Sequence, residues 1–121
     1  MQEFRGKVAV VTGGASGMGR AFADRFAAEG MRLVLADVEE PELERAVAEL
    51  QATGADVIGV PTDVSRLEDV QALRDRTFEA FGAVHVVCNN AGVAGGSVID
   101  APIEVWLWVL GVNLWGVIHG C

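Results

Sequence analysis

The sequence predicts an α/β protein with a doubly wound parallel sheet, and three observations predict it. Four short apolar runs alternate with amphipathic segments of helical period. A glycine-rich turn joins the first run to the first such segment, and each run is followed by a polar residue at its carboxyl end. Strict alternation, β-α-β-α-β-α-β-α, calls for right-handed crossovers that put helices on both faces of the sheet. The expected strand order is 3-2-1-4, and ligands of such sheets sit at the carboxyl ends of the strands, at the switch point between strands one and four.

Val8-Ala9-Val10-Val11 is the first strand. It runs into Thr12-Gly13-Gly14-Ala15-Ser16-Gly17-Met18-Gly19 and then a helix over residues 20–29, with Met18, Ala21, Phe22 and Phe26 expected on one face and Gly30 as its stop. Arg32-Leu33-Val34-Leu35-Ala36 is apolar on both faces, as a strand covered on both sides must be, and ends in Asp37. Pro41 opens the second helix. Leu43, Ala46, Val47 and Leu50 make its buried stripe, Glu39, Glu40, Glu42, Glu44 and Glu49 a solvated face, and Gly54 follows.

Residues 55–61 form the third strand, and Pro61, with no N–H for a ladder, marks a strand end or a sheet edge. Ser65-Arg66-Leu67-Glu68 fits a capping box for a helix lined by Leu67, Val70, Leu73, Thr77, Phe78 and Phe81 and closed by Gly82. Residues 84–88 form the fourth strand. Asn89-Asn90-Ala91-Gly92 and Gly95-Gly96 follow, then a last helix capped by Asp100 or a neighbour, with Pro102 in its first turn.

With 121 residues and 51% apolar content the chain suits a single domain over residues 1–121. A net charge of -8 and a pI near 4.6 argue against nucleic acid or an anionic membrane surface as partner. Residues 105–118 are apolar but interrupted by Gly111, Asn113 and Gly116. They fall short of the roughly 20 residues a membrane span needs and read as a buried helix. Cys88 and Cys121 have neither a disulfide framework nor metal-ligand spacing, and Met1-Gln2-Glu3-Phe4-Arg5 lacks a secretory pattern, so a reducing cytoplasm is the expected compartment. His85 and His119 stand alone and are given structural roles, and no metal site is expected.

The chemistry gathers at the strand ends. Glycines spaced Gly-x-x-x-Gly-x-Gly let the backbone turn sharply and seat a helix start, whose free N–H groups and positive dipole end favour a phosphate or pyrophosphate at residues 16–19. A kinase-type P-loop is excluded, because Arg20-Ala21 follows the last glycine instead of Lys-Ser/Thr. Asp37 lies 18 positions after Gly19, where dinucleotide folds carry the acid that binds the adenosine ribose. With Val38, Glu39 and Glu40 beside it and no cation, it should select NAD over NADP; the alternative is a solvent-exposed turn aspartate. Asp63 could accept from the adenine amino group with Val64 against the ring, or serve as a cap or turn. Asn89 and Asn90 bring amides to the end of the central strand, beside Ala91 and Gly92, and bracing of that loop would explain either one.

Taken together, Thr12-Gly13-x-x-x-Gly17-x-Gly19, Asp37, Asp63-Val64, Asn89-Asn90-Ala91-Gly92 and Asn113 resemble the short-chain dehydrogenase/reductase family, from about Lys7 to Cys121. The resemblance implies a Rossmann-type fold and an NAD-dependent oxidoreductase that moves hydride between nicotinamide and an alcohol or ketone. It implies that Gly13, Ser16, Gly17, Met18 and Gly19 hold the pyrophosphate, Asp37 the ribose, and Asp63 and Val64 the adenine. Asn90, Ala91 and Gly92 would line the cofactor cleft, and Asn113 would be the helix asparagine of the catalytic tetrad, placing a water in the proton relay. Read from its neighbours alone, Asn113 is an amide in an apolar helix that needs a partner, and it could merely satisfy nearby backbone. Trp106, Trp108 and Trp115 read as core or interface, and the family's use of this helix between subunits implies a homo-oligomer.

The family's serine and Tyr-x-x-x-Lys are not found: the chain has no tyrosine, and Lys7 is its only lysine. The expectation is the amino-terminal half of such an enzyme, truncated before strand five, able to bind cofactor and unable to turn over. A free-standing dinucleotide-binding module is the alternative. Against it stands the apolar fourth strand, which would be left as an open edge and make the isolated chain poorly soluble. A methyltransferase-type nucleotide fold leaves the asparagine loop without a role.

Overall fold

The computed structural model describes residues 4–91 and Glu104. Gly92, Asn113 and the three tryptophans lie outside the described residues, as do His119 and Cys121. In chain order the elements are β1 (Val8–Thr12), α1 (Gly17–Ala28), β2 (Arg32–Asp37), α2 (Glu40–Ala52), β3 (Val57–Pro61), α3 (Leu67–Phe81) and β4 (Val86–Cys88). The strands form one parallel sheet in the order β3-β2-β1-β4, as expected from the alternation.

Two apolar layers enclose the sheet. Ala9, Val11, Leu33, Leu35 and Val57 pack against Ala23 of α1 and Leu43, Ala46 and Leu50 of α2. From the other face, Val10, Val34, Ala36 and Val60 meet Leu73 of α3. Residues alternate between these layers along each strand because successive side chains point to opposite faces. Gly59 lets α2 lie close to the edge strand, since a Cβ there would sit 2.8 Å from Val47 Cγ2. Thr77 is buried in the α3 layer, its hydroxyl satisfied by donating to the Leu73 carbonyl at 2.8 Å.

Helix faces depart from expectation at two places. In α1 the buried residues are Gly19 and Ala23, with Phe26 and Ala27 partly buried, while Met18 is 67% and Phe22 38% exposed and Ala21 is exposed. Close approach to the glycine turn selects the smallest side chains for the inner face, and bulk on the helix misleads. In α3, Leu73 and Thr77 are buried, but Leu67 and Phe78 are about half exposed. Both border a cavity of about 410 Å³ over β1 and β4.

The expected capping box does not form. Arg66 is the N-cap residue of α3 and makes no side-chain cap; Ser65 instead gives both its N–H and its hydroxyl to Asp63 Oδ1, at 3.0 and 2.6 Å. β4 starts at Val86 instead of residue 84. The rung before it is half backbone, His85 N–H to the Val8 carbonyl at 2.9 Å, and half side chain, with Val8 N–H donating to His85 Nδ1 at 3.0 Å. His85 therefore has the structural role expected of it. Pro61 both ends β3 and lies on the edge strand, where its missing N–H costs no ladder bond.

Leu33 is fully buried on the central β2 strand between α1 and α2. Leu33→Ala is expected to lower the unfolding free energy by about 2–5 kcal/mol through lost transfer energy and a residual cavity. Chemical denaturation measures it, and a loss below about 1 kcal/mol would place Leu33 outside the core.

Candidate functional site

Register brings the four strand ends together. Val11 pairs with Leu35 on one side and Cys88 on the other, and Asp37 pairs with Pro61. Adjacent strands lie about 4.8 Å apart, so the segments following Thr12, Asp37, Pro61 and Cys88 leave one edge of the sheet side by side.

The glycine turn is built by backbone bonds and by missing side chains. Gly13 and Gly14 both donate to the Ala36 carbonyl, at 2.7 and 3.2 Å, which folds the turn over the end of β2. Gly13 and Gly17 have φ of 64° and 59°, the left-handed region that favours glycine. A Cβ on Gly19 would collide with the Gly13 carbonyl and lie 2.6 Å from Asn90 Nδ2.

α1 starts at Gly17, so Gly17, Met18 and Gly19 form its first turn and Ser16 its N-cap, with no side-chain cap bond. Among the described residues nothing accepts the N–H groups of residues 16–19, as follows for a helix start left without a capping side chain. The first turn of α1 also holds no acid, whereas α2 has Glu40 and Glu42 there and α3 has Glu68 and Asp69. The positive end of α1 is thus left uncompensated within its own helix.

Asp37 faces this turn. Its Oδ2 accepts the Ala15 N–H at 3.2 Å and its Oδ1 the Glu39 N–H at 3.1 Å, so one carboxylate ties the glycine turn to the end of β2. The turn-aspartate role considered from sequence is real and is joined to a long-range one. Val38 beside it is 58% exposed. Arg20, the cation nearest the turn in sequence, pairs with Glu49 at 2.7 Å and Asp24 at 3.0 Å. Its hydrogen bonds to Glu49 and then to Asp24 raise its pKa further and tie the guanidinium to the α1–α2 flank.

Asn90 braces the turn from the other side. Its Nδ2 donates to the carbonyls of Thr12 (3.2 Å) and Gly13 (3.4 Å). Thr12 is the centre of this junction, 5% exposed: its hydroxyl donates to the Cys88 carbonyl at 3.2 Å and accepts the N–H groups of Asn90 and Ala91 at 3.0 and 3.1 Å. Asn89 points elsewhere, and its Oδ1 is buried with no partner among the described residues. Burial pushes the Cys88 thiol up, which disfavours its thiolate.

Asp63 and Val64 stand at the end of β3. Asp63 Oδ1 is engaged by Ser65, Asp63 N–H donates to Asp69 Oδ2 at 2.9 Å, and Val64 is buried. Thr62 N–H donates to the Asp37 carbonyl at 2.9 Å, linking this turn to the neighbouring strand end. Thr12 and Asp69 are the two residues to which sequence reasoning gave no role. A hydroxyl closing an apolar strand was a signal for the first, and a first-turn acid in α3 a weak one for the second.

The model of the short chain dehydrogenase family matches residues 7–121. The chain belongs to this family. It is 45% identical over 112 residues to a 1-deoxy-11-beta-hydroxypentalenate dehydrogenase of Streptomyces exfoliatus, covering 90% of this chain and 41% of that one. A short chain dehydrogenase/reductase from Burkholderia phymatum, solved in complex with NAD, shares 59% identity at a TM-score of 0.95, over 99% of this chain and 43% of that chain. L-Sorbose reductase of Gluconobacter frateurii, solved with NADPH and L-sorbose, shares 32% identity at a TM-score of 0.89, over 97% and 45%. This short chain dehydrogenase sequence therefore spans less than half the length of these relatives. No helix among its described residues is long and apolar enough to cross a membrane, and no group of His, Cys, Asp and Glu among them could hold a metal.

The Thr12 junction predicts its own sensitivity. Thr12→Val keeps the shape and strands two N–H groups and a carbonyl, so the unfolding free energy should fall by roughly 2–4 kcal/mol. Thr12→Ser should stay within about 1 kcal/mol of wild type. Equal stability of the valine and serine proteins in denaturant titrations would show that the hydroxyl holds nothing.

Proposed function

We propose that the chain is the cofactor-binding part of an NAD-dependent short chain dehydrogenase acting between an alcohol and a ketone. The observation that carries this is the start of α1: N–H groups at residues 16–19 with no acceptor among the described residues, no acid in the first turn and glycines where a side chain would block approach. These features fit a pyrophosphate, which supplies the acceptors and the negative charge the helix end is missing. Gly13, Ser16, Gly17, Met18 and Gly19 would hold it by backbone contact. Asp37 would accept from the adenosine ribose, Asp63 and Val64 would border the adenine, and Asn90, Ala91 and Gly92 would line the cofactor cleft.

When bound, the nicotinamide supplies the hydride; the protein's part is to orient it and to move a proton. Asn113 is the one residue of this chain proposed for the proton relay. The chain has no tyrosine to act as the family's acid/base, so by itself it is proposed to bind cofactor without reducing a ketone.

Family membership leaves the choice of cofactor open, since one relative was solved with NAD and another with NADPH. Asp37 favours NAD. A 2′-phosphate beside its carboxylate would meet about 1–4 kcal/mol of repulsion at intermediate dielectric, and Arg20 is already engaged by Glu49 and Asp24. Calorimetric titration is expected to find NADH bound at least about tenfold more tightly than NADPH. Asp37→Asn, which removes the charge and keeps an acceptor, should narrow that gap mainly by tightening NADPH. Equal affinities in the wild-type protein would rule out the role given to Asp37, and no affinity for either nucleotide would rule out the function.

A further inference from the structure

Asp69 sits in the first turn of α3, where an acid ordinarily serves its own helix by offsetting the positive dipole end. Here it does something further. Its Oδ2 reaches back six residues, beyond the N-cap Arg66, and accepts the N–H of Asp63 at 2.9 Å in a partly buried setting. The segment between is closed on itself: Arg66 N–H donates to the Asp63 carbonyl at 3.0 Å, and Ser65 gives its N–H and hydroxyl to Asp63 Oδ1. Asp63 is thus held at its N–H, its carbonyl and one carboxylate oxygen. Oδ2 of Asp63 has no hydrogen bond among the described residues.

We infer that Asp69 is a positioning residue for the adenosine end of the site, setting the turn that presents Asp63 Oδ2 and Val64. The inference rests on the dinucleotide function proposed above and extends it to a residue outside the cleft. The physical reason is freedom at one point. Ser65 fixes the Asp63 side chain relative to residues after it, and Thr62 N–H ties the residue before it to the Asp37 carbonyl. Between these anchors the peptide joining Thr62 to Asp63 has a single polar restraint on its N–H, and Asp69 supplies it. A charged acceptor makes that restraint stronger than a neutral one would be.

The test compares two halves of the cofactor as probes, ADP-ribose and reduced nicotinamide mononucleotide, by calorimetry. Asp69→Ala is expected to weaken ADP-ribose about tenfold and to leave the mononucleotide within about twofold of wild type. Asp69→Asn keeps an acceptor in place without the charge and should recover most of the ADP-ribose affinity. A residue that served only the helix dipole would give the opposite result, with the asparagine and alanine variants alike, and that would overturn the inference. So would a loss shared equally by both probes, or no loss at all. Should the alanine variant fail to fold, Asp69→Ser takes its place: serine starts helices well but falls short of the Asp63 N–H, and the same outcomes apply. Wild-type protein that binds neither probe would instead sink the dinucleotide function itself, whereas wild-type binding with an indifferent Asp69 would sink only the positioning role.

Discussion

The close approach of α1 to the turn that precedes it is the contact on which the site depends. Gly19 rests against the Gly13 carbonyl with Asn90 Nδ2 at its side, leaving no room for a methyl group. The start of the helix is thereby held directly against the turn that ends β1. A larger residue at Gly19 would force the helix away from the turn. The rest of α1 follows: Gly19 and Ala23 turn inward, and the heavier Met18 and Phe22 are carried outward.

Polar groups lock this arrangement from both sides of β1. Toward β4, the Thr12 hydroxyl takes two N–H groups and gives its proton to the Cys88 carbonyl, so the ends of two strands and the asparagine loop share one atom. Toward β2, Asp37 holds Ala15, and Gly13 and Gly14 hold the Ala36 carbonyl. Buried polar groups ordinarily need partners, and here the Thr12 hydroxyl and the Ala36 carbonyl find theirs in groups from neighbouring strand ends, with Asn89 Oδ1 the exception among the described residues. Charge is distributed to match, with acids at the starts of α2 and α3 and none at the start of α1.

Most of the fold was legible because apolar periodicity and glycine stops report directly on strand and helix. Strand order followed from alternation, and the buried stripe of α2 from Leu43, Ala46 and Leu50. Bulk is a poor guide to burial in this chain. Phe22 is large and apolar yet exposed, because the close approach of α1 to the glycine turn puts Gly19 and Ala23 on the inner face, while Leu67 and Phe78 of α3 border a cavity. The capping box is absent because α3 starts one residue later than its pattern requires, with Arg66 as N-cap, and the Ser65 hydroxyl donates to Asp63 instead of accepting a first-turn N–H. In the site, Gly13, Gly17, Gly19 and Asp37 stood out by spacing. Thr12 did not, since nothing local shows that Cys88, Asn90 and Ala91 converge on its hydroxyl.

By itself the sequence determined the class of fold, the position of the glycine turn and the acid that follows β2, because each is a short-range pattern of residue type. Only the tertiary structure decided which groups remain available to a ligand. Asn90 is committed to the turn, Asp63 is held in place from α3, and the N–H groups of residues 16–19 have no acceptors among the described residues. Whether a polar group is satisfied depends on partners as many as 79 residues away in the chain, as Ala91 is from Thr12, and no local pattern records that distance closing.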